Sequence, residues 1–365
     1  MNLDELGLDD EVLDFLKSQK DFSIDRVSQE GGNCDIFFGH HNIFSLRIAL
    51  KIYYGNANSG GHNEPKILSR IDHPNVLRVR DAKKIGKNYS YFMTDEIDGG
   101  DLEKCHRSGQ LDLRDKLNII HGVLNGISEL HKDAISIVHR DIKPKNILIH
   151  NSSKVPLISD FGSVKHFDKS LGSVTGSNTT LVYKPVEVFK SNKYTRQSDV
   201  YQIGVTLFQI LDGFFPGAYF DWLNDAQKKK FVQIGDFFEQ DIFINKAIER
   251  LVVKNDLIQT QTLPDYIDSD IIKIIKRATN PSLTTRYHTS AAFMRDLYSV
   301  QKNLTNWKDD SEFLYGTTPK NDQFRISNSS KGFLTERLGA ASKWRKTGSV
   351  SPLRQNQIDF ITRSP

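Results

Sequence analysis

The feature that most constrains this chain is a pair of short polar motifs near its middle. Residues 139–146 read His-Arg-Asp-Ile-Lys-Pro-Lys-Asn, and Asp160-Phe161-Gly162 follows shortly after. Together they supply a carboxylate, an ammonium group and a carboxamide on a short loop, and a second carboxylate beside a glycine. Phosphoryl transfer needs such a set, because it uses a base for a hydroxyl, a cation for the moving group and oxygen ligands for magnesium.

These motifs resemble the catalytic and metal-binding loops of the protein kinase family. The family template is H-R-D-L-x-x-x-N followed by D-F-G, and here Ile142 takes the place of the leucine. The resemblance implies that Asp141 accepts or orients the substrate hydroxyl and that Lys143 neutralises charge on the moving phosphoryl group. Asn146 and Asp160 would bind Mg²⁺. Tyrosine kinases carry Ala-Ala-Arg at the Lys143 position, so the resemblance implies serine or threonine hydroxyls of proteins as substrates.

An upstream strand pattern ends in a single lysine. Residues 48–51 read Ile-Ala-Leu-Lys, an apolar and β-branched run that predicts a half-buried strand. It resembles the V-A-I-K strand of kinases, which implies that Lys51 binds the α- and β-phosphates of ATP and that Ala49 borders the nucleotide.

Glu64 is the residue that the resemblance pairs with Lys51, as on the kinase C-helix. Apolar residues recur after it at helical spacing. Pro65 is tolerated only in the first turn of a helix, so we expect a short helix that begins near residue 62 or 63.

The glycine-rich loop of the family is only partly present. Residues 29–36 align with G-x-G-x-x-G-x-V, but only Gly31 falls on a template glycine, and the other two positions carry a glutamine and a cysteine. Glycines there let the backbone approach phosphates closely. We expect nucleotide contacts from Gly31, Gly32 and Ile36 that are weaker than those of the family pattern or differently shaped.

A segment resembling the kinase hinge follows a strand-like run. Thr94 stands at the gatekeeper position, and the backbone of Asp95, Glu96 and Ile97 would hold the adenine. Asp101 lies where the family often contacts the ribose.

Residues 163–186 are the expected activation segment. Arg140 precedes the catalytic aspartate, where the family often receives a phosphate from this segment through charge-assisted hydrogen bonds. We therefore predict autophosphorylation at one or more of its hydroxyl residues. The candidates are Ser170, Ser173, Thr175, Ser177, Thr179 and Thr180. Thr180 lies three residues before Tyr183, as in the G-T-x-x-Y pattern of kinases, where the threonine helps to align the catalytic loop.

Three further positions match structural landmarks of the family. Glu187 stands where A-P-E is expected, and its implied partner in a buried ion pair is Arg286. Asp199 begins a segment resembling D-V-W-S-x-G, the start of the central helix of the second lobe.

Bulk composition excludes several classes of protein. Hydrophobic content of 38% and charged content of 26% are typical of a globular protein. No run approaches the roughly 18 apolar residues of a membrane span, and the acidic N-terminal residues do not resemble a signal peptide. Two cysteines make neither a disulfide framework nor a zinc site. We expect a protein of the reducing, ATP-containing cytoplasm.

The predicted fold is α+β and two-lobed. We expect an amphipathic helical extension at 1–20, an antiparallel-sheet lobe with one short helix and the hinge at 21–98, and a mainly helical lobe at 99–301. Residues 302–365 carry eleven Lys and Arg against six Asp and Glu, and their turn-rich composition predicts a basic, partly flexible tail.

Two functions stay open at this point. The first is a serine/threonine kinase using ATP and Mg²⁺ on protein substrates. The second is a pseudokinase that serves as a nucleotide-binding or scaffolding module, favoured by the degenerate glycine loop and by Pro65. No nucleic-acid signature accompanies the basic tail, and the sequence leaves the oligomeric state undetermined.

Overall fold

The structure is a computed structural model of the chain. It describes residues 2–29, 34–54, 68–161, 165–166, 174–175, 180–339 and 342–363, with the backbone alone at 165–166 and 174–175. The chain forms two compact units. Unit 1 comprises Met1–Gly100 and Leu148–Val164, and unit 2 comprises Asp101–Ile147 and Lys165–Pro365.

Unit 1 contains a five-stranded antiparallel sheet in the order β1-β2-β3-β5-β4. The strands are β1 (Phe22–Ser28), β2 (Cys34–His41), β3 (Leu46–Tyr54), β4 (Val79–Ile85) and β5 (Tyr89–Asp95). Alternation of apolar and polar residues gives the sheet one buried face, which includes Phe37, Leu50 and Met93.

The N-terminal helix covers that apolar face. A 3-10 turn at Leu3–Leu6 precedes helix α1 (Asp10–Ser18). The Asp9 side chain caps α1 by accepting a hydrogen bond from the backbone of Glu11. The Phe15 and Tyr91 rings pack with centroids 4.7 Å apart.

Unit 2 is mainly helical through residue 301. Its helices are α2 (Leu102–Arg107), α3 (Leu113–Leu130), α4 (Val186–Ser191), α5 (Arg196–Ile210), α6 (Asp225–Val232), α7 (Phe237–Val253), α8 (Ser269–Ala278) and α9 (Ser290–Gln301). Helix α5 is buried over most of its length, so it forms the centre on which α3, α8 and α9 pack. Short strands of unit 2 occur at Ile137–Val138, Lys165–His166, Val174–Thr175 and Lys193–Tyr194. In unit 1, which begins again at Leu148, β6 (Ile147–Ile149) pairs with β7 (Pro156–Ile158).

The antiparallel sheet of unit 1 and the helices of unit 2 confirm the expected α+β class. The short helix expected around Glu64 falls within residues 55–67, which lie outside the described part of the chain. No described helix is long and apolar enough to cross a bilayer.

The C-terminal residues correct the expectation of a partly flexible tail. They form a five-stranded antiparallel sheet followed by a helix. The elements are β8 (Asn306–Asp309), β9 (Leu314–Thr317), β10 (Gln323–Ser329), β11 (Gly332–Leu338), β12 (Trp344–Ser351) and α10 (Arg354–Thr362). The turn-forming residues that suggested a loop connect these short strands, of which β9 and β10 bury alternate residues.

This C-terminal sheet is joined to the helices of unit 2 by specific bonds. The Asn306 amide donates to Asp112 at 2.8 Å and its oxygen accepts from the backbone of Arg114. Arg354 makes a bidentate pair with Asp265 at 2.7 and 2.8 Å. These contacts fix the sheet beside α3 and the segment that precedes α8.

Candidate active site

One face of the unit 1 sheet collects side chains predicted to contact the nucleotide. The register pairs Ile36 with Lys51, and Ala49 with Thr94. Cross-strand partners share a face and side chains alternate along a strand, so these four residues lie on the same face. Leu50, between two of them in sequence, is buried on the opposite face with the core.

Lys51 is close to the carboxylate of Asp160. Lys51 Nζ lies 3.6 Å from Asp160 Oδ1, and the Asp160 side chain is 47% exposed. The Nζ atom also lies 4.9 Å from the centroid of the Tyr53 ring, a cation–π distance. Within unit 1 the structure therefore brings a predicted phosphate ligand next to a predicted metal ligand.

Backbone bonds to β7 hold Asp160 in that position. Ile158 donates its N–H to Asn75 at 2.9 Å, and Leu77 donates to Ile158 at 2.9 Å. Asp160 has a φ of +60°, a left-handed conformation in which aspartate is enriched. Phe161 is buried next to it.

The segment predicted to be the hinge carries ion pairs that no motif in the sequence indicated. Glu96 lies 2.6 Å from Arg26 and 2.7 Å from Arg47, and Asp95 pairs with Arg80. The arginines are distant in sequence from these carboxylates, and strand pairing brings them together. The side chains of Asp95 and Glu96 are both engaged in ion pairs. The predicted contact of these residues with adenine would therefore use their backbone groups.

The other predicted nucleotide contacts fall in different environments. Thr94 is 4% exposed and Ile97 is 8% exposed. The Asp101 carboxylate caps helix α2 by accepting from the backbone of Lys104 at 2.8 Å. Helix capping is by itself a sufficient reason for an aspartate at this position, whether or not it contacts a ribose.

A single buried carboxylate in unit 2 holds the loop that contains Asp141. Asp199, which is fully buried, accepts the backbone N–H groups of His139 at 2.9 Å and Arg140 at 2.8 Å. His131 Nε2 donates to the same carboxylate at 2.8 Å. Gln202, one turn further along α5, accepts from the Ile142 N–H and donates to the Arg140 carbonyl oxygen, both at 2.9 Å.

Asp199 was predicted at the start of a helix, whereas the roles of His131 and Gln202 were not predicted. Gln202 follows Asp199 by one helical turn, so the sequence already places both residues on the same face of the predicted helix. His131 lies at the end of α3, and no spacing in the sequence relates it to the loop.

Asp141, Lys143, Asn146 and Thr180 form one hydrogen-bonded group in unit 2. Lys143 Nζ donates to Asp141 Oδ2 at 2.9 Å and to Thr180 Oγ1 at 3.1 Å. The Asn146 amide donates to Asp141 Oδ2 at 2.9 Å and to its carbonyl oxygen at 2.8 Å. The second carboxylate oxygen, Asp141 Oδ1, is buried and has no hydrogen-bond partner in the described part of the chain.

Arg140 lies beneath this group. It has a φ of +72° and is 4% exposed, and burial lowers the pKa of its guanidinium. Its guanidinium carbon lies 5.9 Å from the centre of the Tyr194 ring. The backbone of Tyr194 pairs with that of Val174 in the predicted activation segment.

Glu187 and Arg286 form a bidentate pair with contacts of 2.8 and 3.1 Å, in which Arg286 is buried and Glu187 is partly buried. Arg286 also donates to the carbonyl oxygens of Asn280 at 2.8 Å and Gln197 at 3.0 Å, and its side chain is 0% exposed. Ser198 donates to Glu187 at 2.8 Å. The pair therefore joins α4 to the start of α5 and to the segment that precedes α9.

Several predicted site residues lie outside the described part of the chain. They are Gly31, Gly32, Glu64, Ser170, Ser173, Ser177 and Thr179, and Thr175 is described by its backbone alone. The predicted Lys51–Glu64 pair and the phosphorylation sites thus stay predictions.

Among the described residues, the Asn146 side chain has an oxygen that a metal ion could take. No group of three or more His, Cys, Asp or Glu side chains in the described residues could hold a metal ion. The Asn146 nitrogen faces Asp141, so the oxygen is the atom of that amide that a metal would take. Mg²⁺ typically binds one or two carboxylates together with water and substrate phosphates, which fits a site of few protein oxygens.

Comparison with known proteins decides the family. Residues 30–297 match the family model described as protein kinase domain. The chain belongs to the protein kinase family. The match includes the His139–Asn146 and Asp160-Phe161-Gly162 motifs, and it confirms the resemblance drawn from them.

Kinases from several organisms are similar to this chain. The serine/threonine-protein kinase PrkC of Bacillus subtilis is 30% identical over 53% of this chain and 31% of its own length. The probable serine/threonine-protein kinase PknB of Lactococcus lactis is 25% identical over 73% of this chain and 43% of its own length. The serine/threonine-protein kinase atg1 of Dictyostelium discoideum is 31% identical over 46% of this chain and 26% of its own length. The chain thus spans less than half the length of each of these relatives.

Proposed function

We propose that this chain is a serine/threonine protein kinase that transfers the γ-phosphoryl group of ATP to hydroxyl groups of proteins in the cytoplasm. The observation that carries the proposal is the hydrogen-bonded group of Asp141, Lys143, Asn146 and Thr180 in unit 2. An oxygen of a buried carboxylate without a partner is unfavourable, so Asp141 Oδ1 is the atom suited to accept the proton of a substrate hydroxyl.

Each member of the group has a defined task in this proposal. Asp141 orients the substrate hydroxyl and accepts its proton. Lys143, held between Asp141 and Thr180, places its positive charge where negative charge develops on the transferred group. Asn146 fixes the Asp141 carboxylate through its nitrogen and offers its oxygen to Mg²⁺.

The nucleotide tasks fall to residues of unit 1. Lys51 neutralises the α- and β-phosphates, and Asp160 binds Mg²⁺. The 3.6 Å approach of Lys51 to Asp160 supports this division, because a lysine beside a carboxylate is positioned for a ligand that carries both phosphate and metal. Mg²⁺ supplies charge neutralisation on the phosphates when it is bound.

We further propose autophosphorylation between Ser170 and Thr179. Thr180 accepts a hydrogen bond from Lys143, which favours an aligning role for its hydroxyl over a role as phosphate acceptor. Intact-mass spectrometry after incubation with ATP and Mg²⁺, followed by peptide mapping, tests this step. An unchanged mass, or phosphate found only outside this segment, would contradict it.

Substitution of Asp141 tests the proposed reaction. Asp141→Asn removes the proton acceptor and keeps the size of the side chain, so the rate of phosphate transfer to a generic protein substrate should fall by about 10²–10⁴. Asp256→Asn is the matched control, since Asp256 is an exposed aspartate of the same unit. Equal rates for Asp141→Asn and the wild type would reject the assignment.

The pseudokinase alternative makes the opposite prediction. A pseudokinase would be stabilised by ATP and Mg²⁺ in a thermal-shift titration but would transfer no radiolabelled phosphate. The features that suggested it fall partly outside the described residues, since Pro65 and residues 30–33 of the glycine loop are not described, whereas Gln29 and Cys34 are.

A further inference from the structure

A cavity of about 390 Å³ lies in unit 2 where helices α3 and α9 meet the C-terminal sheet. Its volume is in the range of sites that bind small molecules. The match to the family model ends at residue 297, and four residues that line the cavity follow that position. They are Tyr298, Gln301, Lys302 and Pro319. The cavity is therefore built in large part by residues outside the family match.

Two contacts between the helices fix the walls of the cavity. Gln301 Nε2 of α9 donates a hydrogen bond to Asn118 Oδ1 of α3 at 2.6 Å. The rings of His121 and Tyr298 have their centroids 6.1 Å apart. Since the residue number rises along α3 while it falls along α9, the two helices are antiparallel where they line the cavity.

Two cations lie at one end of this antiparallel pair. Arg114 precedes Asn118 by about one turn of α3, and Lys302 directly follows Gln301. Neither cation has an ion-pair partner within 4 Å in the described part of the chain. Arg114 stands in the first turn of α3, where the helix dipole makes a cation unfavourable. An anion bound between the two cations would remove that cost.

The charge of the cavity matches a phosphate monoester. The described residues that line it include no carboxylate. Burial lowers the pKa of His121, so its ring is uncharged at neutral pH and Arg114 and Lys302 supply two positive charges. A phosphate monoester carries about −1.5 to −2 at pH 7, whereas a carboxylate would neutralise only one of the two cations. Asn118 uses its oxygen in the bond to α9, so its NH₂ group can donate to the same anion.

An aromatic surface lies beside the cations. The Tyr298 side chain is 53% exposed, and Lys302 Nζ lies 4.8 Å from the centre of its ring. Pro319 adds an apolar wall from the turn between β9 and β10. This turn is held by the Thr318 N–H, which donates to the Asp322 carbonyl oxygen at 2.9 Å. A ring attached to the phosphate would therefore find an ordered apolar surface.

We propose that this cavity binds an aromatic phosphate monoester, with Arg114 and Lys302 holding the phosphate and Tyr298 contacting the ring. A phosphotyrosine side chain of a protein and a free aryl phosphate share this chemistry. The inference does not depend on the proposed kinase activity, because the cavity shares no residue with the candidate active site.

Isothermal titration calorimetry of the full chain with phenyl phosphate tests the proposal. Arg114→Gln and Lys302→Gln should each weaken binding about tenfold or more, since each removes a charged hydrogen-bond donor. Arg345→Gln is the matched control, because Arg345 is exposed on β12 and likewise has no ion-pair partner within the described residues. Circular dichroism melting should show that each variant is folded.

Three comparisons separate the phosphate, the ring and the nucleotide-binding residues. Phenylacetate should bind about tenfold more weakly than phenyl phosphate, because it carries one charge instead of two. Tyr298→Leu should weaken binding of phenyl phosphate by roughly 2- to 10-fold and leave binding of inorganic phosphate unchanged. Lys51→Met should bind phenyl phosphate as the wild type does, which distinguishes this cavity from the candidate active site.

A phosphotyrosine peptide distinguishes the two sources of the ligand. A peptide that binds at least tenfold more tightly than phenyl phosphate would support a phosphorylated protein, and equal or weaker binding would support a free aryl phosphate. Absence of saturable binding by both probes would overturn the proposal. Binding that Arg114→Gln and Lys302→Gln leave unchanged would also overturn it, because the phosphate would then be held elsewhere.

Discussion

Asp199→Asn should destabilise unit 2 and disorganise the loop that contains Asp141. The carboxylate accepts hydrogen bonds from the backbone N–H groups of His139 and Arg140 and from His131. Asparagine keeps one acceptor oxygen, but its NH₂ group faces an N–H donor. At least one hydrogen bond is lost, and a buried donor is left unsatisfied.

The magnitude follows from the burial and charge of this site. Asp199 is 0% exposed, and a hydrogen bond to a charged group contributes about 1.5–3 kcal/mol. Loss of one bond, weakening of the others and the new unsatisfied donor together predict a decrease of about 3–5 kcal/mol in the free energy of unfolding. For a unit of this size that corresponds to a fall of roughly 6–20 °C in Tm.

Tryptophan fluorescence during thermal unfolding is a suitable assay. All three tryptophans, Trp222, Trp307 and Trp344, belong to unit 2, so their signal reports on the unit that contains Asp199. Asp256→Asn serves again as control and should leave Tm unchanged. A Tm for Asp199→Asn within about 2 °C of the wild type would refute the view that this carboxylate anchors the loop.

Three further predictions concern other contacts. Glu187→Gln leaves the buried Arg286 with only carbonyl and amide acceptors and should cost about 3 kcal/mol in chemical denaturation; a loss below about 1 kcal/mol would contradict a structural role for the pair. Thr180→Val removes one acceptor of Lys143 and should lower the maximal phosphorylation rate about tenfold with little change in the KM for ATP; a selective rise in KM would argue against the aligning role. Burial lowers the pKa of His106 in the folded state. The unfolded chain therefore binds more protons than the folded chain as the pH falls below about 6.5. Because of this difference, the free energy of unfolding should decrease in that pH range. Melting curves between pH 7.5 and 5 should show a smaller decrease for His106→Gln, and an equal decrease in both proteins would reject this source of the pH dependence.

The local motifs of the active site could be predicted because their spacing is short. Arg140, Asp141, Lys143 and Asn146 lie within seven consecutive residues, so a short loop that carries them brings a carboxylate, an ammonium group and an amide close together. The structure has Lys143 and Asn146 each within hydrogen-bond distance of Asp141. The strand of Lys51 was visible for a similar reason, since a short apolar run ending in one charge is typical of a half-buried strand.

Contacts between distant segments could not be predicted in the same way. The engagement of Glu96 by Arg26 and Arg47, and of Asp199 by His131, depends on strand register and helix packing over tens of residues. The expectation of a partly flexible C-terminal tail was wrong because turn residues have the same composition in loops and in hairpins. Only pairing of the short strands β8–β12, and the apolar face that they bury together, distinguishes the two.

The sequence alone determined the chemistry available to this protein, because the reactive groups are fixed by residue type and by spacing within a few positions. Tertiary structure decided which groups are buried, which are paired and which remain exposed. It sets Asp199 against the loop that contains Asp141, gathers Ile36, Ala49, Lys51 and Thr94 on one sheet face, and leaves Phe237 and Phe238 exposed. The physical reason is that burial and pairing energies depend on neighbours in space, and the packing of the whole chain chooses those neighbours.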